Sequence, residues 1–367
     1  MSKTRFLMIG GFLGAGKTTT ISRLARHYTD RGMRVGLVTN DQAYGLVDTE
    51  TLRAQGFDVG EVPGACFCCK FDDLVDTAAA LGADNQPDVI LTEPVGSCTD
   101  LVATVLRPLR HLFGDRYEVA PLVVLCKPEH GRKILGGDSG GFSPQAAYIF
   151  MKQLEEAQVI VLNKIDKLSD DQREDTIQLL CEQFPEQQVI ATSGVTGEGF
   201  EKLTDLLDDE YTPTKPALDI DYDIYAEGEA ALGWLNCGVK LTADRHWSLD
   251  ASVQDMVVCL SDALLAASIE PGHVKVLASA ETATAVANWV ASDAPVELSV
   301  AAKVEVTSAD ALVNVRVHGD PDQLAALVRT SISEFATPRQ FHHEIVDIQY
   351  FRPGRPQPTH RYEGITG

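Results

Sequence analysis

The chain has 367 residues, enough for two domains, and its 44% hydrophobic and 23% charged content excludes wholesale disorder. Asp and Glu outnumber Lys and Arg by 53 to 31, and the net charge of −22 argues against nucleic acid or an anionic membrane surface as the main partner. Of eight cysteines, three crowd into Cys66, Cys68 and Cys69, a poor disulfide framework that suits thiolate chemistry in a reducing compartment.

Lys3 and Arg5 ahead of the apolar residues 6–15 have the outline of a secretory signal. Gly10, Gly11 and Gly14 break that run, however, and it flows into Lys17 without a small-residue cleavage site. No apolar stretch reaches the roughly 18 residues of a membrane helix, so the expected location is cytoplasmic, with no membrane partner. Residues 5–10 read as a buried strand ending in glycine. Residues 18–31 read as a helix with Ile21, Leu24, Ala25 and Tyr28 on one face and Gly32 as its stop. Short apolar runs at 34–39, 88–92, 122–126, 159–162 and 188–192 follow, separated by helical patterns such as 173–184. That alternation predicts an α/β fold with a mainly parallel sheet covered on both faces and functional residues at the carboxyl ends of the strands.

Composition shifts at the proline-bearing residues 211–219, so a first domain is expected over 1–212 and a linker over 213–223. Beyond it, 230–242 reads as one or two strands, 249–269 as a helix and 273–279 as a strand. Two more strands are expected at 303–306 and 312–317, then a helix at 321–335 capped by Asp320, and a last strand at 344–351. This order predicts a smaller C-terminal α+β domain, ferredoxin-like, over 224–350. Cys237 and Cys259, isolated in apolar patterns, read as core. Residues 351–367, with Pro353, Pro356, Pro358 and three arginines against one glutamate, read as a basic, Pro-rich tail; docking on an acidic partner or on the first domain is an alternative to the solvated tail expected here.

Residues 11–18, Gly-Phe-Leu-Gly-Ala-Gly-Lys-Thr, fit G-x-x-x-x-G-K-[ST] between a strand and a helix. Gly11, Gly14, Ala15 and Gly16 let backbone N–H groups wrap a phosphate at the positive end of the helix. Lys17 would reach the β- and γ-phosphates, the Thr18 hydroxyl would bind Mg²⁺, and Thr19 completes the phosphate loop. Asn163-Lys164-Ile165-Asp166 follows a later apolar strand. A carboxylate placed like Asp166 accepts from the N1–H and 2-amino group of guanine, a donor pair that adenine lacks; Asn163 can bridge the base edge and the P-loop, and the Lys164 stem can cover the ring. Ser193, in the loop after the next strand, is expected to complete the pocket.

These motifs resemble those of the CobW-like P-loop GTPases of the SIMIBI class, a group of metallochaperones and relatives of the urease and hydrogenase maturation GTPases. The resemblance rests on residues 11–18, Cys66-Phe67-Cys68-Cys69, Glu93-Pro94-Val95-Gly96 and 163–166 in that order, and covers residues 5–210. It implies a P-loop GTPase domain with slow intrinsic turnover, guanine nucleotide and Mg²⁺ as cofactors, and a role in metal or cofactor assembly, cobalamin biosynthesis included. The chain departs from the family in Ala65 before the first cysteine, in Pro94-Val95, and in Lys127 where an aspartate is usual.

Cysteine thiolates are soft donors suited to Zn²⁺ or Co²⁺, and three sulfurs leave a tetrahedral ion with an open position. Glu61 is a candidate extra ligand, whereas Cys98 reads as structural. The cluster lies between the loop of Asn40, Asp41 and Gln42 and Glu93, the segments expected to sense the γ-phosphate. Lys17, Asp41 and Glu93 are the expected catalytic set, with Asp41 on Mg²⁺ and Glu93 either on Mg²⁺, directly or through water, or orienting the attacking water. The expected protein is a GTP-hydrolysing metallochaperone that serves a client metalloprotein or cofactor-assembly enzyme, with a homodimer as a candidate assembly. Two alternatives stand beside it: a conformational GTPase guarding a corrinoid or metal enzyme with structural cysteines, and a non-catalytic metal or thiol sensor.

Overall fold

A computed structural model describes residues 3–42, 47–81, 86–211 and 216–364, so residues 212–215 of the expected connector lie outside the described residues. The first half runs β1 (Thr4–Gly11), α1 (Lys17–Asp30), β2 (Val35–Asp41), α2 (Val47–Ala54), β3 (Asp58–Pro63), α3 (Phe71–Ala80) and β4 (Val89–Glu93). A π-helical turn, Val102–Leu106, leads into α4 (Arg107–Phe113), then β5 (Tyr117–Val119), β6 (Val123–Cys126), α5 (Pro128–Leu135), α6 (Pro144–Glu156), β7 (Val159–Leu162), α7 (Asp170–Gln183), β8 (Gln188–Ala191) and α8 (Phe200–Asp208). The strands form a sheet of order β3-β2-β4-β1-β6-β7-β8, with β5 also beside β1, and every pair is parallel.

Alternation along β1 sends Phe6 and Met8 into one core and Leu7 and Ile9 into the other, which is why the strand reads as a continuous apolar run. Helix starts follow local chemistry. The Ser143 hydroxyl accepts from the Ala146 N–H ahead of α6, and Ser169 with Gln172 forms a capping box on α7. β3 carries no apolar run, because Gly60 and Glu61 interrupt Val59 and Val62; a Cβ on Gly60 would lie 2.4 Å from the Thr77 methyl, so the α3 contact admits only glycine there.

The second half contains α9 (Tyr222–Ala230), β9 (Leu232–Ser248), α10 (Leu249–Ala266), β10 (Pro271–Ala280), β11 (Ala283–Trp289), β12 (Glu297–Val300), β13 (Glu305–His318), α11 (Pro321–Ala336) and β14 (His342–Phe351). α9 packs on α6, and its Tyr225 joins the first domain's core. The sheet order is β12-β11-β10-β13-β9-β14, all antiparallel. Within it, β14-β9-β13-β10 with α10 and α11 is the ferredoxin-like arrangement, and β11 and β12 extend its β10 edge. Residues 305–318 form one strand rather than two, because β9 pairs with β13 through the polar stretch at Ser308 and Asp310. α10 and α11 cover one face of the sheet with Met256, Leu260, Val328 and Phe335. The other face turns His273, Lys275 and Arg316 towards the first domain, beside Leu277 and Val286, which pack on Val47.

The expected solvated tail is corrected by the structure, in which residues 357–363 lie against the first domain. Arg361 Nε donates to the buried Asp100 carboxylate at 2.7 Å, the Tyr362 N–H donates to the Ala103 carbonyl at 2.9 Å, and Arg107 donates to the carbonyls of Tyr362 and Glu363 at 2.8 Å. A buried carboxylate needs a cationic partner, and this one finds it 261 residues away in sequence.

Candidate functional site

β1 ends at Gly11 with φ 135°, and the loop to α1 turns through Gly14 and Gly16 at φ 73° and 94°, left-handed values that glycine adopts without strain. A Cβ on Gly16 would sit 2.5 Å from Asn163 Nδ2, so the loop and the β7 end are in direct contact. Asn163 links three segments: its Nδ2 donates to the Ala15 carbonyl at 2.9 Å, and its Oδ1 accepts from the Gly194 N–H at 3.1 Å and from Thr192 Oγ1 at 3.4 Å. Lys164 adopts a left-handed backbone at φ 60°, uncommon outside glycine, and its Nζ lies 3.5 Å from Glu129. Asp166 is exposed on the cleft lining, and the buried Ser193 hydroxyl accepts from the Thr196 N–H at 3.0 Å.

Gly14, Gly16, Thr19, Asn163, Lys164, Asp166 and Gly194 line a cleft of about 1050 Å³ between the two domains, whereas fully buried Ser193, expected to complete the pocket, is not on its lining. Lys17 is buried with Nζ donating to the Gly11 carbonyl at 3.0 Å; burial pushes its pKa down against the pull of Glu93. Thr18 Oγ1 lies 2.6 Å from Asp48 Oδ1 and 3.1 Å from Glu93 Oε1. Glu93 is buried, its Oε2 has no hydrogen-bond partner, and burial and neighbouring Asp48 raise its pKa to about 7. One hydroxyl and two carboxylates form the hard oxygen set that Mg²⁺ takes, and the orphaned Oε2 fits a cation beside it. Asp48 is the member that sequence reasoning missed. Asp41, expected on Mg²⁺, forms an ion pair with Arg316 of β13 at 2.9 Å. Lys127, at the family's aspartate position, is buried and donates to the carbonyls of Val290 at 2.8 Å and Gly272 at 3.3 Å, fastening the second domain over the P-loop.

Cys66 to Lys70 form a turn in which the N–H groups of Cys69 and Lys70 both donate to the Cys66 carbonyl, at 3.0 and 3.1 Å, and α3 starts directly after it. The turn brings the sulfurs together: Cys66 to Cys68 is 2.9 Å, Cys66 to Cys69 is 3.2 Å and Cys68 to Cys69 is 3.8 Å. Among the described residues this is the only group of three or more His, Cys, Asp or Glu ligand atoms within mutual coordinating range, and Glu61 is not part of it. Glu61 instead meets Thr49 and faces Arg53, since it pairs in register with Thr39 inside the sheet. Hydrogen bonds from the thiols of Cys68, Cys69 and Cys98 hold Cys66 well below the usual thiol range, and Cys69 is pushed up to about 11. Cys98 stands beside the triad within the same core.

Two links join the sulfurs to the nucleotide side, one through the Asn40 side chain and one along residues 93–98. At the end of β2, Asn40 Nδ2 donates to the carbonyls of Val62 and Ala65, both at 2.7 Å, while its Oδ1 accepts from the Phe67 N–H at 2.9 Å. Residues 93–98 run from Thr18 to Cys66; a Cβ on Gly96 would lie 3.2 Å from Lys17 Nζ, and Gln153 donates to the carbonyls of Gly96 and Cys98. From outside, the tail closes the pocket. The Gln357 N–H donates to Cys69 Sγ at 3.2 Å, the Thr359 N–H to the Cys68 carbonyl at 2.8 Å, and the His360 ring sits edge-on to Phe71.

The family model described as CobW/HypB/UreG, nucleotide-binding domain, matches residues 5–191. The zinc chaperone YeiR of Escherichia coli strain K12 is 29% identical over 175 residues, 46% of this chain and 48% of that protein. The zinc chaperone CobW of Sinorhizobium sp is 37% identical over 97 residues, 24% of this chain and 27% of that protein. The matches therefore span less than half the length of either relative. Among solved structures, HypB from Helicobacter pylori in complex with nickel covers 58% of this chain and 92% of its own, at 17% identity and a TM-score of 0.41.

Proposed function

We propose, from the premise that the chain belongs to the CobW/HypB/UreG family over residues 5–191, that it is a slow Mg²⁺-dependent GTPase that carries a transition metal on Cys66, Cys68 and Cys69. The observation that carries this reading is the three-sulfur group tied through residues 93–98 to the P-loop and through Asn40 to the cleft end of β2. Lys17 would neutralise the β- and γ-phosphates, with Mg²⁺ held by Thr18, Asp48 and Glu93 to supply charge stabilisation at the γ-phosphate. Asp166 selects guanine. Glu93, buried and acidic beside the phosphate site, holds Mg²⁺ or orients water. Segments ordered by nucleotide relax on hydrolysis, and both sulfur-bearing segments hang from such strand ends, so GTP turnover drives metal handover to a client protein in the cytoplasm.

Zinc is the favoured cargo, since the relatives named above are zinc chaperones, with Co²⁺ as its chemical rival at a sulfur site. The deciding measurement is GTP turnover with Zn²⁺, Co²⁺ and Ni²⁺ for the parent and Cys68→Ser. The parent should respond to one metal and the variant should lose that response; identical behaviour of all metals on both proteins rejects the metallochaperone. Closure of the sulfur pocket by residues 357–359 favours one other reading, a metal or thiol sensor in which nucleotide only stabilises the fold. Tight metal binding with undetectable hydrolysis would select it.

A further inference from the structure

The cleft contains an arrangement that the P-loop does not require. Asp48 Oδ1 accepts the Thr18 hydroxyl and also Nζ of Lys275, an ammonium supplied by β10 of the second domain. One carboxylate oxygen therefore serves two cationic or protic neighbours at the spot where Mg²⁺ would sit on the P-loop hydroxyl. Strand alternation puts Lys275 there. Val274 and Val276 enter the second domain's core, while His273 and Lys275 face the cleft, with Arg316 paired opposite His273 and Asn314 opposite Lys275.

The second domain also positions Asp48. Asn314 Oδ1 accepts the Val47 N–H at the start of α2, at 2.9 Å, and Val47 packs with Leu277 and Val286. Asp48 and Lys275 are consequently held against each other from both sides. The cleft pairs its acids and bases: Asp48 with Lys275, Asp41 with Arg316, and Glu93 beside Lys17. A magnesium nucleoside triphosphate brings a divalent cation that needs Asp48 and a γ-phosphate that needs a counter-charge. Two cations cannot share one carboxylate oxygen at contact distance without strong repulsion. The Lys275 ammonium, on a flexible four-carbon stem, binds phosphate oxygens as a point charge.

We propose that Lys275 holds the place of Mg²⁺ on Asp48 until Mg²⁺ and a nucleoside triphosphate bind, and then passes to the γ-phosphate, so that the second domain reads the nucleotide state. This rests on the nucleotide-site reading above. A diphosphate offers no γ-oxygen, so Lys275 stays on Asp48 and Mg²⁺ competes with it.

The test uses the full chain as wild type, Lys275→Met and Lys275→Arg, titrated with fluorescent GDP and a non-hydrolysable GTP analogue over a range of Mg²⁺. Lys275→Met should lose about tenfold in affinity for the triphosphate and less than about twofold for GDP, the difference expected of one charge-assisted contact. Its half-saturating Mg²⁺ with GDP should fall, since Asp48 is released, and Lys275→Arg should keep the triphosphate preference. Equal losses for both nucleotides, or unchanged affinities, overturn the proposal. Wild-type protein that binds neither nucleotide would reject the nucleotide site itself, a separate outcome. A Met variant that fails to fold leaves the Arg variant as arbiter: loss of triphosphate preference there also counts against the role, because the charge is retained.

Discussion

At the nucleotide cleft, β10 and β13 set Lys275 and Arg316 against Asp48 and Asp41 and still leave about 1050 Å³ open between the domains. At the thiol pocket, residues 357–360 lie on the sulfurs themselves, and Cys66 and Cys68 are 4% and 2% exposed. Both sites are finished by the C-terminal half of the chain, one by side chains across a gap and the other by backbone hydrogen bonds in contact. Filling the cleft requires ion pairs to re-partner, a local motion of long side chains. Filling the pocket requires a strap of main chain to lift. Nucleotide should therefore exchange faster than metal.

Four measurements would break or sharpen that contrast. Cys68→Ser removes a ligand and should weaken Co²⁺ or Zn²⁺ binding by about a thousandfold while leaving nucleotide affinity within about twofold; a parallel fall in both would mean the two regions are one site. Lys17→Ala should lower GTP affinity by about a hundredfold and leave the sulfur-to-cobalt absorption of the Co²⁺ form intact. Loss of that absorption would place Lys17 in the pocket's support.

The third concerns pH. His130 on α5 is buried and bonded to Glu270 at 2.9 Å, which joins the domains beside the cleft; burial and nearby Lys127 depress its pKa to about 4, against the pull of Glu270. The folded form thus binds fewer protons than the unfolded chain between about pH 6.5 and 4. The stability is present above 6.5 and is lost as pH falls through that window, by up to about 3 kcal/mol. Buried His273 is shifted in the same direction. Denaturant midpoints at pH 7 and 4.5 should show the loss, and His130→Gln should flatten it; an equally steep slope in the variant removes His130 from the account. The smallest expected effect belongs to Arg361→Ala, which frees the tail from Asp100. Cys69 should then react several-fold faster with a thiol reagent, and an unchanged rate would show that the strap does not limit access.

The P-loop and the Asn-Lys-x-Asp loop were legible because each packs its chemistry into one contiguous turn, and the parallel sheet was legible because strands buried on two faces are apolar throughout. What escaped were partners far apart in sequence. Asp48 sits 30 residues from Thr18 and 227 from Lys275, inside a short helix with no motif of its own. Glu61 was an attractive ligand by proximity to the cysteines, but sheet register commits it to the Thr49 side. Lys127 looked like a lost aspartate; its buried amine instead donates to two carbonyls of a domain whose docking no local pattern announces. Composition described the last residues correctly as basic and proline-bearing, and misled about their surroundings, because the acid that receives Arg361 is hidden.

The strap has a consequence for how the molecule is made. Thr359, whose N–H and hydroxyl hold the carbonyls of Cys68 and Cys69, is translated 290 residues after Cys69. At about 5–20 residues per second, that interval lasts roughly a quarter of a minute to a minute. Throughout it the three thiols are displayed on a nascent chain without their cover, and the pocket is sealed only once residues 357–359 have been made. Synthesis itself therefore leaves the sulfurs open to solvent for an interval that the strap later ends.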